Sequence, residues 1–407
     1  MDQGWSWIVL CACFVVYGIT VGMAWSMGVY LVPLLNYFHS SQRETALALS
    51  IGFSFYCFAA PLAGVLYKLV GCRVLVIASA VISTAGFLMS FFTQSIHQLT
   101  FAQALVGLGF SMTGPAVLTV QAEYFERYRS LALSLVTVGC PVGLFLFPPL
   151  FTLFMDWTNW RGSMLFNAGV ALQMAVCGAL VRPRRSQPVD KRLGQLCSVS
   201  MFSNINCWFI WAIVFGMRGL TSTYFTFINA FLLSSGIEKH VAAFLVSVSG
   251  ATNLCGRLLG SFLAHRVPLG TKRLLLCICV AVSAAQPLGT TLADSHLWFS
   301  VPLGLVGLAD GINTALVMTI MLEQFGKDLF PNVQGICGFS AGMAILSLPQ
   351  LAGLLADQTG LTVTMYSASC IGSISVIAGV CLVIRGCLTD RALQLAAQDD
   401  SEENKRL

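Results

Sequence analysis

Arg182-Pro183-Arg184-Arg185-Ser186-Gln187-Pro188-Val189-Asp190-Lys191-Arg192 opens the longest polar stretch of the chain, 182–203, close to the middle of its 407 residues. Two prolines interrupt any helix there, and so many cations cannot sit in hydrocarbon. On either side the sequence is made of apolar runs of bilayer length, since a spanning helix needs about 20 mostly apolar residues. Six runs precede the stretch, at 5–34, 44–67, 73–93, 97–122, 130–155 and 161–181, and six follow it, at 205–233, 240–264, 272–292, 296–322, 331–355 and 361–384. The sequence therefore predicts an all-α, polytopic membrane protein. It has an N-terminal six-helix half (1–181), a basic linker (182–203), a C-terminal six-helix half (204–390) and a tail (391–407). The tail mixes Asp399, Asp400, Glu402 and Glu403 with Lys405 and Arg406, and is expected to be solvated and unstructured.

Composition agrees. Hydrophobic residues make up 57% of the chain and charged residues 10%, whereas soluble domains carry roughly 25% charged residues. That excludes a soluble enzyme. The formal charge of +5 is explained by position. Among the loops, only Arg43, Arg161 and Lys239 would lie on one side of the membrane, while the remaining loop cations, including Lys68, Arg73, Arg127, Arg129 and the linker, would lie on the other. Cytoplasmic loops carry the Lys/Arg excess, so both termini are expected to be cytoplasmic. The basic character is a topological signal, and nucleic acid is not an expected partner; the lipid bilayer is. Asp2 is the only charged residue from Met1 to Trp7, and a full-length apolar segment follows, so the first span is expected to be retained rather than cleaved. Most of the 15 cysteines, among them Cys57, Cys140, Cys177 and Cys337, sit in apolar runs without paired spacing and read as reduced packing residues. No Asn-x-Ser/Thr acceptor occurs.

A duplicated architecture has faint support in the sequence. Gly64, Lys68, Gly71 and Arg73 after span 2 are echoed by Gly260, His265, Arg266, Gly270 and Arg273 after span 8, and Gly139, Gly143 and Pro148 in span 5 by Gly338, Gly342 and Pro349 in span 11. Small residues four apart let helix backbones approach closely, and prolines bend spans that rock against each other.

Charges inside spans are few. Arg218 in span 7 and Arg257 in span 8 are the two cations outside the loops. Each costs about 2.5–3.5 kcal/mol at mid-bilayer on insertion scales and so should face a water-filled cavity or a partner. Arginine stays charged and offers a planar fork to a carboxylate, which makes a cavity-facing Arg257 a fixed counter-ion for a small organic anion. Asp310 in span 10 is the acid placed deepest in a span, and two readings of it stand side by side. It is either a titratable group for proton coupling or the permanent ion-pair partner of Arg218 or Arg257. Asn253 lies four residues before Arg257 on the same helix face; it either grips a carboxylate beside the cation or makes a helix–helix packing bond.

Catalytic and metal chemistry find no constellation. His39, His97, His240, His265 and His296 fall in loops or at span ends without ligand spacing, and no phosphate-cradling glycine loop with Lys-Ser/Thr is present. No cofactor or metal is expected; a proton remains a candidate co-transported ion.

Asp2-Gln3-Gly4-Trp5-Ser6-Trp7, Tyr124-Phe125-Glu126-Arg127-Tyr128-Arg129-Ser130-Leu131-Ala132 with Gly139-Cys140-Pro141-Val142-Gly143, Trp160-Arg161-Gly162, Cys177-Gly178-Ala179-Leu180-Val181-Arg182-Pro183 and Ala352-Gly353-Leu354-Leu355-Ala356-Asp357-Gln358-Thr359-Gly360 occur in this order on twelve spans. In these stretches the chain resembles the monocarboxylate transporter family of the major facilitator superfamily over essentially its whole length. It departs from the pattern at Gln3, Ser6, Glu126 and Tyr128. The resemblance implies plasma-membrane transport of small monocarboxylates, proton-linked in the best-studied members, with a single-span ancillary glycoprotein as partner for some. It also assigns gating and anchoring roles to Asp2, Gly4, Trp5, Trp7, Arg127, Arg129, Gly139 and Gly143. Those members carry a lysine in span 1 and an Asp/Arg pair in span 8. Here Arg257 holds the arginine position, Asn253 the acid position, and Trp25 is nearest in register to the lysine. Trp25 and Asn229 are expected to line the cavity. Three functions follow as alternatives: a carboxylate transporter, a proton-independent uniporter of a neutral or zwitterionic metabolite, and a non-transporting receptor of the same fold.

Overall fold

In lipid, backbone N–H and C=O groups find partners only within a helix or a closed barrel, and a sequence of long apolar runs without strand-type alternation selects helices. The computed structural model describes residues 4–125, 128–182, 205–293 and 296–406, and is helical almost throughout them. The linker beyond Arg182, Asp2, Arg127 and the side chains of Arg129 and of the tail lie outside the described residues.

Span 1 runs over Gly4–Phe38 and is not a uniform α-helix. It loosens to a π-turn at Gly18–Gly22 and tightens to a 3-10 turn at Met27–Tyr30. Spans 2 and 3 share the helical stretch Gln42–Phe92, broken at Gly71 (φ 78°), a left-handed conformation that glycine adopts without steric penalty. Span 4 is Ile96–Ser111 and Thr113–Tyr124 with a step at Met112. Spans 5 and 6 share Arg129–Leu180, turned at Asn159 (φ 66°), asparagine being one of the few side chains that tolerates this region. Ile205–Ser234, Lys239–Arg266 and Leu269–Thr291 form spans 7 to 9. His296–Thr359 has 64 residues, about 96 Å of helix at 1.5 Å per residue, far beyond one bilayer crossing. It contains two separate candidate spans, Trp298–Phe325 and Val333–Thr359, which are spans 10 and 11. Thr362–Arg406 begins with span 12.

Nine described stretches are long and apolar enough to cross a membrane, one of them, Leu135–Leu180, containing the turn at Asn159 and so crossing twice. The helices 42–70 and Ile205–Ser234 complete twelve passes. One expectation fails. The final helix runs without interruption to Arg406, so the backbone of the tail is helical where an unstructured end was expected. No Gly or Pro follows Gly386, and Ala392, Leu393, Gln394, Leu395, Ala396 and Ala397 are strong helix formers.

Among the described residues, one buried core joins the two halves and a second does not. Buried residues of spans 1 to 6 form a continuous cluster with Tyr224, Phe225, Phe227, Ile228 and Phe231 of span 7, Leu245 and Val246 of span 8 and Leu303 of span 10. A second cluster, including Ile210, Met217, Leu276, Ile320, Phe325 and Cys337, belongs wholly to the C-terminal half and lies nearer the end that carries the chain termini. The far end is also tied by polar contacts. Asp156, closing span 5, holds Lys239 and His240 at the start of span 8 (His240 Nε2–Asp156 Oδ2, 3.1 Å). Asp357, closing span 11, accepts from the backbone N–H groups of Gln42 (2.8 Å) and Arg43 (3.3 Å) at the start of span 2.

Spans 1 and 5 meet backbone to backbone. A Cβ on Gly139 would come within 3.0 Å of Gly18 N, and one on Gly143 within 2.8 Å of Gly22 Cα. The echo in span 11 does a different job. A Cβ on Gly338 would meet nothing within 4 Å, and one on Gly342 would lie 2.8 Å from the Phe58 ring of the other half. The recurrence in sequence is not a recurrence of packing partners.

Candidate functional site

Three charged side chains of the C-terminal half converge at mid-height, facing the N-terminal half. Span 8 presents Asn253 and Arg257 one helical turn apart, and Arg257 Nε donates to Asn253 Oδ1 at 2.9 Å. The opposite edge of the same amide donates from Nδ2 to Asp310 Oδ2 (3.0 Å) and to Gly307 O (3.2 Å) on span 10. A guanidinium has only donors and an ionised carboxylate only acceptors, so these neighbours fix the orientation of the amide. Span 10 comes close enough for this because of Gly311, where a Cβ would lie 2.8 Å from Arg257 N. Asp310 Oδ1 is completed by Arg218 Nη1 at 3.8 Å and by Thr221 Oγ1 at 3.5 Å. Arg218 Nη2 reaches Thr314 Oγ1 at 3.4 Å, and that hydroxyl returns to Asp310 O at 2.8 Å.

The result is a chain, Arg257–Asn253–Asp310–Arg218, with one carboxylate between two guanidiniums. Asp310 pairs with Arg218. Arg257 has no carboxylate within ion-pair distance among the described residues. Its remaining contacts cross to span 5 of the other half and are long: Nη1 to Thr137 O at 3.4 Å and Nη2 to Cys140 Sγ at 3.7 Å. Neither neutralises its charge, and the side chain is half-buried.

The N-terminal half supplies the facing wall. Tyr17 of span 1, Cys57 of span 2 and Cys140 of span 5 lie within electrostatic range of Arg218, and Tyr17 and Cys140 also of Arg257. Sequence reasoning assigned Cys57 and Cys140 to packing and gave Tyr17 no binding role. Only their position opposite two arginines, far away in sequence, distinguishes them from other core tyrosines and thiols.

Towards the far end, Trp25 closes over this space. Its ring lies 4.7 Å from Phe53 and 5.9 Å from Phe225, and Phe53 stacks on Tyr56 at 5.4 Å. Trp25 is 9% exposed. Beside it, a Cβ on Gly28 would overlap Phe225 O, so spans 1 and 7 touch here without intervening side chain. Asn229, also expected in the cavity, is 4% exposed with no hydrogen-bond partner at Oδ1, and no contact joins it to Arg257 among the described residues. Asn253, 6% exposed, spends its amide hydrogens on Asp310 and Gly307 and positions Arg257.

A twelve-pass helical protein with two halves joined at one end and polar groups at the centre has the architecture of a facilitator. The family model of the Major Facilitator Superfamily matches residues 8–336. The chain belongs to the major facilitator superfamily. It is 28% identical over 391 residues to Monocarboxylate transporter 6 of Homo sapiens, covering 88% of this chain and 76% of that one. It is 26% identical over 395 residues to Monocarboxylate transporter 12 of Mus musculus, covering 88% and 81%. With Monocarboxylate transporter 3 of Rattus norvegicus it shares 29% over 402 residues, covering 94% and 80%. These similarities place it in the monocarboxylate transporter family, a family of membrane transporters rather than enzymes.

For this family member, the described part of the N-terminal motif acts as an anchor. Trp5 Nε1 donates to Leu180 O (3.3 Å), and the Arg182 guanidinium lies 3.9 Å from the centre of the Trp5 ring. Tyr124 OH donates to Arg182 O (2.8 Å), and Trp7 packs edge-on against Phe125 at 5.3 Å. Spans 1, 4 and 6 are thereby pinned where the linker begins. Gly4 starts the first helix in open space, where an added Cβ would meet nothing within 4 Å.

Proposed function

We propose that the protein is a secondary transporter that carries a small monocarboxylate or related organic anion across the plasma membrane by alternating access, both termini being cytoplasmic. The observation that carries this reading is the asymmetry between the two arginines: Arg218 has Asp310, whereas Arg257 has an amide, a carbonyl and a thiol. Two guanidiniums and one carboxylate leave one positive charge at the junction of the halves, and one monocarboxylate balances it. A fork of N–H donors also suits a carboxylate in geometry. The ties at the far end support a conformation in which this charge is reached from the side of the termini.

The test is uptake of labelled monocarboxylates into proteoliposomes holding the full chain, with and without an inward proton gradient. Saturable uptake whose apparent affinity falls at least about tenfold in Arg257→Ala supports the reading; saturable uptake with unchanged affinity in this variant removes the anion site.

A second reading, proton-independent uniport of a neutral or zwitterionic metabolite, is favoured by the surroundings of Asp310. Asn253 and Arg218 both present donors to it, so its oxygens are already engaged as acceptors within the C-terminal half. Uptake insensitive to pH gradient and to Asp310→Asn is its signature.

A further inference from the structure

The junction between the halves carries different chemistry at two levels. At one stand Arg218 and Arg257, faced by Tyr17, Cys57 and Cys140. Nearer the far end stand Trp25, Phe53 and Phe225, which with Ser222 line a recess built by both halves. Helix geometry joins the two levels into one strip. On span 7, Arg218, Ser222 and Phe225 follow at i, i+4 and i+7 on one helix face, and the rise from Arg218 to Phe225 is about 10 Å. On span 2, Cys57 and Phe53 are one turn apart, and Tyr56 beside them stacks on Phe53 at 5.4 Å. On span 1, Tyr17 and Trp25 bracket the π-turn Gly18–Gly22. Three spans thus lead from the cations to the aromatic cluster in the same direction. Trp25 and Ser222 are more than nine-tenths buried, and neither side chain makes a hydrogen bond among the described residues, so both remain available to a ligand.

The contact of Trp25 with Phe225 crosses from one half to the other. Alternating access parts the halves there in each cycle, which uncovers aromatic faces on both sides. A three-carbon acid held at Arg257 is too short to cover them, because the strip is about 10 Å long. A carboxylate with an aromatic ring on a short chain spans it: the carboxylate meets the guanidinium fork, and the ring restores the lost burial in the offset or edge-on arrangements that aromatic faces favour. An α-ammonium would be repelled. It sits next to the carboxylate, hence beside Arg257, and Asp310, the one carboxylate at that level among the described residues, already accepts from Asn253 and Thr221 and pairs with Arg218. We propose that the transported anion is an arylalkanoate without an α-amino group, bound with its carboxylate at Arg257 and its ring among Trp25, Phe53 and Phe225. This rests on the anion-transport reading above and narrows its substrate class.

The experiment measures concentration-dependent uptake of labelled 3-phenylpropionate, propionate and L-phenylalanine into proteoliposomes holding the full chain. The first two acids share a carboxylate and differ by the ring; the third adds only the α-ammonium to the first. 3-Phenylpropionate should show an apparent affinity at least about tenfold tighter than propionate, and L-phenylalanine should show no saturable uptake. Propionate taken up with equal or tighter affinity overturns the ring site and leaves the anion site at Arg257 standing. Saturable uptake of L-phenylalanine overturns the exclusion of the ammonium. Trp25→Leu and Phe225→Leu should each weaken 3-phenylpropionate about 3- to 10-fold and leave propionate unchanged, a split that a general defect in folding would not produce; equal weakening of both acids overturns the assignment of the ring to these residues. If neither acid enters the native protein, the anion-transport reading itself fails.

Discussion

Asn253 bridges Arg257 and Asp310, its Oδ1 2.9 Å from Arg257 Nε and its Nδ2 3.0 Å from Asp310 Oδ2. A neutral amide between a cation and an anion holds both in place without cancelling either. An aspartate here would pair with Arg257 and repel Asp310.

That geometry makes Asn253→Asp informative. The new carboxylate would face Asp310 at hydrogen-bond distance, and two carboxylates that close repel each other unless they share a proton. The proton is held at low pH and lost as pH rises. The variant should transport better as pH falls from about 8 to about 6, while the native chain should stay nearly flat; uptake rates across that range check it.

Removing the charge of Arg257 should weaken anion recognition. A hydrogen bond to a charged group contributes about 1.5–3 kcal/mol, so Arg257→Ala should reduce apparent affinity roughly 10- to 100-fold. Arg257→Lys should recover only part, because an ammonium lacks the fork. Concentration dependence of initial uptake rates separates the three proteins.

Asp310→Asn should destabilise the fold by leaving Arg218 without its counter-ion. Breaking a buried pair costs about 3–5 kcal/mol; the side chains here are 24% and 12% exposed, so about 2 kcal/mol is expected after allowing for solvent screening. The double variant Arg218→Leu with Asp310→Asn should regain much of the lost Tm in detergent, since it removes the stranded charge.

The two far-end ties should set the balance between conformations. Asp156→Asn with Asp357→Asn removes a charged clasp on Lys239 and His240 and weakens an N-terminal cap on span 2. A helix cap is worth about 0.5–2 kcal/mol. Ser222 lines a recess beside Trp25, and a Ser222→Cys probe should react several-fold faster with an impermeant maleimide from the far side in the double variant. Unchanged labelling would deny these acids a gating role.

Gly143→Val should lower Tm, because its Cβ would come within 2.8 Å of Gly22 Cα and over-packing costs about 1–3 kcal/mol. Gly338→Ala, open to 4 Å, should be neutral in the same assay.

Arg218, Arg257 and Asp310 are legible in the sequence because hydrocarbon penalises charge so heavily that an intramembrane ion needs a reason. Tyr17, Cys57 and Cys140 give no comparable signal, since a tyrosine or thiol is tolerated in any helix interface. Asp156 and Asp357 read as solvated acids beside loops, and nothing local tells that each meets the start of a helix in the opposite half. Asn253 is recognisable as a neighbour of Arg257, but its second bond, to Asp310, depends on how closely span 10 approaches.

The sequence by itself determined the number of passes, the division at 182–203 and which ions lie at bilayer depth, because these follow from the length of apolar runs and the cost of charge in lipid, both local properties. Only the tertiary structure decided which arginine is neutralised and which ends of the two halves are tied together. Those outcomes depend on distances between helices far apart in the chain, and such distances are set by packing, down to the single missing side chain at Gly311 that lets Asn253 reach Asp310.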